Sequence, residues 1–227
     1  MTVLWHAMRP WAVPILRAAF RTSRSGMKNI PKRGAAILAS NHLSALDHVV
    51  LPSLTHRTII SVSKVEHFQA GPIKRFFFHG WGIIPIERGR GDNAALDAAR
   101  DVLKAGRLLC IYPEGTRSRD GKLHKGHTGV ARLAIEMQVP VIPVAMIGTF
   151  EAYPKGGKLK FFKPTRAVAG EPMRFPEYKG RENDRDACRE VTDKVMRAIQ
   201  ALSGQEFVNE YQVNPQVPGH DRPEHAP

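Results

Sequence analysis

Short apolar runs alternate with helical patterns from Gly34 onward, and this alternation limits the folds open to the chain. Runs of about four to eight apolar residues are typical of buried strands, and the amphipathic segments between them are typical of helices that cover a sheet. That order is characteristic of layered α/β structures. The sequence therefore predicts an α/β domain whose central, mostly parallel or mixed β-sheet is flanked by helices. The candidate strands are AAILAS, TIISVSK, GIIPIER, RLLCIYP, VIPVAMIG and TRAVAG.

Three helices are predicted between and after these strands. The segment DNAALDAARDVLKAG has Asp92 or Asn93 as a candidate N-cap and Gly106 as a stop signal. Between the fourth and fifth strands, apolar residues recur at helical spacing until QVP ends the pattern. A helix over residues 184–202 would close the domain.

The length of 227 residues suits one domain with appended segments. Residues 1–29 are predicted to form an amphipathic, membrane-associating helical segment, and residues 30–203 to form the domain. Residues 204–227 are rich in proline and polar side chains, so they are predicted to form a disordered tail.

The first 46 residues contain seven Lys and Arg side chains and no acidic residue. Trp5, Trp11 and Ile15 stand among these cations at helical intervals, although Pro10 and Pro14 would kink the helix. Indole rings beside arginines suit the headgroup layer of a bilayer. Two alternatives are a helix packed on the domain with a solvated basic face, and a cleaved organellar transit peptide.

The whole chain carries a formal charge of +13, from 34 Lys and Arg against 21 Asp and Glu. This excess favours anionic partners, namely phosphorylated substrates, acidic lipid surfaces or nucleic acid. The two cysteines, Cys110 and Cys188, are far apart and form no CxxC pattern, so a reducing compartment is expected and a metal site is not. No run reaches the roughly 20 apolar residues of a membrane-spanning helix.

Three polar clusters follow predicted strands, where open α/β sheets place their ligand sites. They are NHLSALD (residues 41–47), ERGRG (87–91) and PEGTRSRDG (113–121). In the second and third, arginines stand beside glycines, a composition that binds phosphate or other anions. The alternative for each is a solvated basic loop.

The first cluster contains a histidine and an aspartate five residues apart. On a continuous helix a five-residue step turns about 140° beyond one full turn, so both side chains could not meet if both were helical. His42 is therefore predicted in the strand-to-helix turn, with Asp47 about one turn inside the helix. The carboxylate could then orient the imidazole as a base. The alternative is that Asn41 or Ser44 caps a helix and Asp47 complements its positive end.

NHLSALD, GIIPIERG, YPEGTRS and VPVIPV resemble, in order and spacing, four motifs of glycerolipid acyltransferases of the bacterial 1-acylglycerol-3-phosphate acyltransferase type. The resemblance covers residues 30–148, about half the chain. It implies that His42 is the general base and Asp47 its orienting partner. It also implies that the residues contacting the acceptor or stabilising the reacting end are Lys64, Arg88, Glu114, Gly115, Thr116 and Arg117.

The same resemblance implies transfer of a fatty acyl group from acyl-CoA or acyl carrier protein to 1-acylglycerol 3-phosphate (lysophosphatidic acid), which gives phosphatidic acid. The acyl thioester is a co-substrate, and no cofactor is expected. The location implied is the cytoplasmic face of a membrane, with peripheral or monotopic attachment to an anionic surface. Alternatives are another acceptor, such as glycerol 3-phosphate or a lysophospholipid with a headgroup, and a non-catalytic membrane-binding protein. A nucleic-acid binder is disfavoured because no RRM-type motif or zinc-finger spacing occurs.

Overall fold

A mixed β-sheet forms the centre of the computed structural model, which describes residues 10–11, 13–15, 17–64, 83–86 and 91–212. Seven of the described strands form this sheet, and two short ones form a separate pair. In chain order the strands are β1 (Ser23–Ser25), β2 (Ala36–Ser40), β3 (Ile59–Lys64), β4 (Ile83–Ile86), β5 (Leu108–Ile111), β6 (Leu123–His124), β7 (Val141–Ile147), β8 (Arg166–Ala169) and β9 (Phe207–Val208).

The strands of the main sheet stand in the order β1-β8-β7-β2-β5-β3-β4. All neighbours in it are parallel except β7 and β8, which are antiparallel. The predicted α/β class with a mixed central sheet is therefore confirmed, and each of the six predicted strands is present. The described α-helices are α1 (Asp47–Val50), α2 (Gly91–Lys104), α3 (Gly129–Met137), α4 (Thr149–Ala152) and α5 (Arg185–Ser203).

Side chains of the central strand β2 are buried on both faces of the sheet. Ile37 and Ala39 pack with apolar residues of α2, α3 and α5, whereas Ala36 and Leu38 pack with α1 and the 3-10 helix Leu51–Leu54. A strand covered on both sides reads as a continuous apolar run, as AILAS does. The core therefore consists of two layers of helices around one sheet.

The helix boundaries follow the capping residues of the sequence. The Asp184 carboxylate accepts hydrogen bonds from Asp186 N and Ala187 N at the start of α5, and Gly204 ends that helix with φ +70°. The predicted final helix is thus confirmed within one residue at each end. Helix α2 begins at Gly91, one or two residues before the predicted caps, and Gly106 follows its end with φ +69°.

The predicted boundary after residue 29 is wrong. Residues 10–11, 13–15 and 17–19 are helical, but Phe20 is buried and β1 adds to the main sheet beside β8. Backbone pairing of Ser23 with Arg166 makes this part of the chain integral to the domain. Residues 1–9 lie outside the described residues.

The predicted tail is also wrong for residues 204–212. Strand β9 pairs with β6, and Gln212 is buried against the domain. Ladder hydrogen bonds and buried side chains supply the contacts that a disordered segment lacks. Residues 213–227 lie outside the described residues.

Candidate active site

Strands β2 and β5 are adjacent and parallel, so their carboxyl ends lie at one edge of the sheet. Ala39 pairs with Ile111 in this ladder. His42 and Glu114 each follow three residues later, and the backbone N–H of His42 donates to Glu114 Oε2 at 2.9 Å. Two of the predicted clusters are therefore brought together by strand register alone.

His42 and Asp47 form a hydrogen-bonded pair in the turn after β2. The distance between His42 Nδ1 and Asp47 Oδ2 is 2.8 Å. The same oxygen accepts from the backbone N–H groups of Leu43 and Ser44, each at 2.8 Å. Because this oxygen already accepts two N–H groups, we assign the shared proton to Nδ1, which leaves a lone pair on His42 Nε2. The Asp47 side chain is fully buried, whereas that of His42 is 13% exposed.

The local backbone differs from the predicted one in a single respect. Asp47 is the first residue of α1 and not one turn inside the helix. The N-cap is Leu46, which makes no side-chain capping bond. Ser44 Oγ accepts from Leu46 N at 3.1 Å, so Ser44 stabilises the turn just before the helix, whereas the Asn41 amide bonds to Met146. The Asp47 carboxylate reaches back to the turn, where it orients the imidazole and closes the loop that carries it.

Aromatic rings surround the imidazole of His42. The Tyr112 ring stacks on it with a centroid distance of 3.9 Å and an interplanar angle of 18°. His48 meets both rings edge-on, and Tyr112 Oη lies 3.4 Å from His48 Nδ1. Burial holds the pKa of Tyr112 well above its usual range, so the phenol stays neutral. The stack restricts rotation of the imidazole, while the His42 side chain keeps 13% exposure.

Glu114 is buried, and its two carboxyl oxygens accept backbone N–H groups from His42 and His124. Burial raises the pKa of Glu114 to about 8, against the opposing effect of these two hydrogen bonds. Both oxygens are therefore occupied inside the protein. The geometry gives Glu114 a role in positioning the His42 backbone, and the contact with the acceptor or the reacting end that the resemblance implies stays a prediction.

The loop after Glu114 lies directly beside His42. Gly115 has φ +70°, and a Cβ atom there would lie 3.1 Å from His127 Cδ2, so a side chain would be strained. The N–H of Ser118 donates to the His42 carbonyl at 2.7 Å, which fixes the intervening residues next to the imidazole. Among the described residues, the Thr116 hydroxyl and the Arg117 guanidinium have no hydrogen-bonding partner. Both are therefore available to a ligand.

Three cations gather at this loop. Burial, Arg119 and Arg117 together lower the pKa of Lys155, which places its ammonium group in the field of the two guanidinium groups. Within the part of the chain that the structure describes, no acidic side chain forms an ion pair with any of the three. Like charges without a counter-ion attract anions, which makes this loop a candidate anion site.

Two predicted site residues are placed less completely. Lys64 is the last residue of β3, so its backbone lies at the same edge of the sheet as His42, next to β5. The side chain of Lys64 lies outside the described part of the structure. Arg88 lies in residues 87–90, outside the described residues.

A C-terminal segment, residues 205–212, crosses this edge and is here called the strap. Gln205 Oε1 accepts from Asn41 Nδ2 at 2.6 Å, and Gln205 Nε2 donates to the Gly121 carbonyl at 2.8 Å. The ring of Tyr211 stacks on His127. With its amide oriented to suit its neighbours, Gln212 Oε1 accepts from Arg119 N at 2.8 Å. The strap therefore holds both the His42 turn and the Arg117 loop.

Sequence reasoning missed the strap because its polar composition and its nearby prolines indicate disorder. The only signal is the group of apolar and aromatic residues Phe207, Val208 and Tyr211, which is weak over so few residues. The sequence predicts Asn41 only as a candidate helix cap. Its amide instead donates to the Met146 carbonyl at 2.9 Å and accepts from Met146 N at 2.7 Å, and so joins β2 to β7.

Comparison with known proteins agrees with this geometry. A family model described as acyltransferase matches residues 21–147, more than half of the chain. The crystal structure of the 1-acyl-sn-glycerophosphate (LPA) acyltransferase PlsC from Thermotoga maritima superposes with a TM-score of 0.65 at 26% identity. That match covers 88% of this chain and 78% of the other.

Curated relatives include a chloroplastic 1-acyl-sn-glycerol-3-phosphate acyltransferase, BAT2, from Brassica napus. It is 30% identical over 151 residues, which are 65% of this chain and 43% of the relative. The human 1-acyl-sn-glycerol-3-phosphate acyltransferase beta is 31% identical over 129 residues, 56% of this chain and 45% of the relative. The chain thus spans less than half the length of these two proteins. The match of the family model over more than half of its residues shows that this chain belongs to the acyltransferase family.

Proposed function

We propose that this protein transfers a fatty acyl group from an acyl thioester to the free hydroxyl of 1-acylglycerol 3-phosphate, which gives phosphatidic acid. The observation that carries the proposal is the 2.8 Å hydrogen bond between His42 Nδ1 and Asp47 Oδ2 at the sheet edge, beside the Arg117 loop. The names of the relatives and the superposition on PlsC support the choice of acceptor.

In the proposed reaction, His42 Nε2 takes the proton of the acceptor hydroxyl as its oxygen attacks the thioester carbonyl carbon. The new C–O bond forms, the C–S bond breaks, and the imidazolium returns the proton to the departing thiolate. Asp47 stabilises the imidazolium and keeps it in the orientation that serves both transfers. Asp47 thus acts through His42 and is a positioning residue.

The acceptor phosphate is proposed to bind at the cation cluster of Arg117, Arg119 and Lys155. A guanidinium donates two parallel hydrogen bonds to phosphate oxygens, and Lys155 adds a point charge. Thr116 supplies a hydroxyl to the same loop. The contacts of Lys64 and Arg88 with the acceptor remain part of this proposal, as implied by the resemblance.

A direct transfer without a covalent acyl-enzyme is proposed. Burial raises the pKa of Cys110, the cysteine nearest in sequence to the Glu114 loop, to about 12, so its thiol is not a nucleophile near neutral pH. A thiol with a pKa of about 8.5 leaves readily without further activation. The donor is an acyl thioester of coenzyme A or of acyl carrier protein, and no further cofactor enters the scheme.

Peripheral attachment to an anionic membrane surface, on its cytoplasmic face, completes the proposal, because the acceptor is a membrane lipid. The basic N-terminal residues and Trp11 support this placement. None of the helices in the described segments is long and apolar enough to span a bilayer.

The test is thiol release from palmitoyl-CoA, measured with and without lysophosphatidic acid, for wild type and His42→Ala. We expect acceptor-dependent release from the wild type, and a loss of about 10²- to 10⁴-fold in kcat for the variant. His56→Ala is the matched control, because His56 is exposed and precedes β3 at the opposite edge of the sheet.

Release that does not depend on the acceptor, or that survives loss of His42, would refute the proposed roles. Glycerol 3-phosphate and lysophosphatidylcholine belong in the same assay. If either one is turned over faster than lysophosphatidic acid, the proposed acceptor is wrong, but the proposed role of His42 and Asp47 still stands.

A further inference from the structure

The loop between β7 and β8 and the N-terminal residues reach the same edge of the sheet as His42. Strand β7 is parallel to β2, and its last residue, Ile147, pairs with the first residue of β8, Arg166. Residues 148–165 therefore leave and re-enter the sheet at the edge that carries the site. Ser23, the first residue of β1, also pairs with Arg166, so the chain before it arrives at this edge too.

These two segments contact one another at residues 19–20 and 161–165. The rings of Phe20 and Phe161 stack with a centroid distance of 5.7 Å. Phe162 N donates to the Ala19 carbonyl at 2.8 Å, and Thr165 N donates to the Phe20 carbonyl at 3.1 Å. We name the surface formed by residues 156–164 with Trp11 and Ile15 the edge face.

The edge face exposes large apolar side chains. Residues 156–164 are exposed without interruption, with Phe161 at 58% and Phe162 at 69%. Trp11 is 77% exposed and Ile15 is 66% exposed. Single apolar residues are ordinary on protein surfaces, but Leu159, Phe161 and Phe162 are exposed within four residues of one loop, and such a cluster marks an interaction site. Phe162 also has φ +61°, which a bulky residue rarely adopts, so the backbone presents this ring at a conformational cost.

The charge of this surface identifies its occupant. Between Glu151 and Glu171 the chain has five Lys and Arg residues and no acidic one. Aromatic rings beside lysines match the boundary between lipid headgroups and acyl chains, where the rings insert and the cations meet anionic lipid. A second copy of this chain would bring like charges together, which disfavours a self-complementary interface.

We propose that the edge face docks on an anionic lipid bilayer, with the loop of residues 156–164 as a contact element in addition to the N-terminal segment. Docking would turn the catalytic edge toward the membrane. A hydrogen bond of 2.6 Å from Ser44 Oγ to the carbonyl of Tyr153, three residues before this loop, ties it to the His42 turn. That orientation delivers a lysolipid acceptor from the bilayer to His42, a step that depends on the proposed function.

Co-sedimentation with vesicles tests the docking. The variants are Phe161→Ser/Phe162→Ser and Lys158→Glu/Lys160→Glu, with vesicles of phosphatidylcholine alone or with added phosphatidylglycerol. Wild type should bind the anionic vesicles preferentially, and each double variant should bind them about tenfold or more weakly. Lys104→Glu/Arg107→Glu makes the same charge change on exposed side chains at the opposite edge, so it should bind like wild type within about twofold.

Because Phe161 packs on Phe20, thermal unfolding followed by circular dichroism should accompany the phenylalanine variant. The lysine variant keeps the test valid if that variant does not fold. The proposal would be overturned if either double variant, correctly folded, bound anionic vesicles as tightly as wild type does. It would also be overturned if the wild type bound no vesicles. A third result would also overturn the proposal: the wild type forms a concentration-dependent dimer, and the phenylalanine variant is monomeric but binds vesicles normally. The edge face would then be an interface between two copies of the chain.

Activity separates docking from chemistry. Both variants should lose turnover of lysophosphatidic acid embedded in vesicles, yet retain turnover of a short-chain, monomeric lysophosphatidic acid in solution. Equal losses on both acceptors would overturn the docking role. If wild type is inactive on both acceptors, the proposed function fails, while the sedimentation measurement still decides whether the edge face binds lipid.

Discussion

At the scale of single residues, Asp47 Oδ2 accepts three hydrogen bonds, one of them from His42 Nδ1 at 2.8 Å. Asp47→Asn should therefore lower kcat by about 10²- to 10⁴-fold, because a neutral amide neither stabilises the imidazolium nor fixes the tautomer. The KM for the acceptor should change little. Steady-state kinetics in both substrates measures the split, and Asp101→Asn, an exposed aspartate near the end of α2, is the matched control. An unchanged kcat would remove Asp47 from the mechanism.

Glu114 predicts a pH dependence of stability. Its pKa is about 8 in the folded protein, against an ordinary 4.5. Between these values the unfolded chain has lost the proton that the folded chain keeps, so the free energy of unfolding falls as pH rises, by about 1.4 kcal/mol per pH unit. Below pH 4.5 and above about pH 8, Glu114 adds no pH dependence to the free energy of unfolding.

Urea unfolding of wild type and Glu114→Gln between pH 4.5 and 8 measures this contribution. The variant should lose the falling slope, so its stability relative to wild type should improve as the pH is raised. Parallel curves would mean that Glu114 titrates normally and that the two backbone N–H groups outweigh its burial.

At the scale of elements, the strap couples the two halves of the site through Gln205. Gln205→Ala removes the partner of Asn41 Nδ2 and of the Gly121 carbonyl, which should cost about 1–3 kcal/mol of unfolding free energy. Because Asn41 precedes His42, kcat should also fall at temperatures where the variant is fully folded.

Gln205→Glu distinguishes the two bonds. A carboxylate still accepts from Asn41 but cannot donate to the Gly121 carbonyl, so turnover should recover more than stability. Thermal unfolding and kcat, measured on the same preparations, give both quantities. If turnover and stability recover equally in Gln205→Glu, or if neither recovers, the strap supports the fold without positioning His42.

The elements also show which features sequence can predict. The strands of four to seven residues carried continuous apolar signals and were predicted, whereas β1, β6 and β9, with two or three residues each, were not. Such short strands form because tertiary contacts place them beside a partner, and β6 and β9 are about 80 residues apart in sequence. The His42–Asp47 contact was predictable because it is local.

Glu114 shows the opposite case at the same site. Its motif position indicated function, but its role depends on burial and on the N–H groups of His42 and His124, which sequence does not contain. Gln205 and Gln212 reach the site only because α5 returns the chain to the catalytic edge of the sheet. Local chemistry was therefore predictable, and the long-range support of that chemistry was not.

At the scale of the whole molecule, the charge of +13 and the cation cluster at Arg117 predict that capture of the proposed anionic acceptor is electrostatic. Raising the salt concentration from about 0.05 to 0.5 M shortens the Debye length from about 14 to 4 Å and should raise the KM for an anionic acceptor. The His42 imidazole, stacked on Tyr112, is only 13% exposed, so kcat should change little.

Arg117→Ala should raise that KM at low salt by about 10- to 150-fold, as expected for loss of one charged hydrogen bond, and should reduce its dependence on salt. Monomeric short-chain lysophosphatidic acid is the acceptor to use, so that vesicle binding does not contribute. Arg107→Ala, exposed at the opposite edge, should retain the wild-type salt dependence. If both variants lose the salt dependence equally, the net charge of the protein attracts the acceptor; if only Arg117→Ala loses it, the cluster beside His42 does.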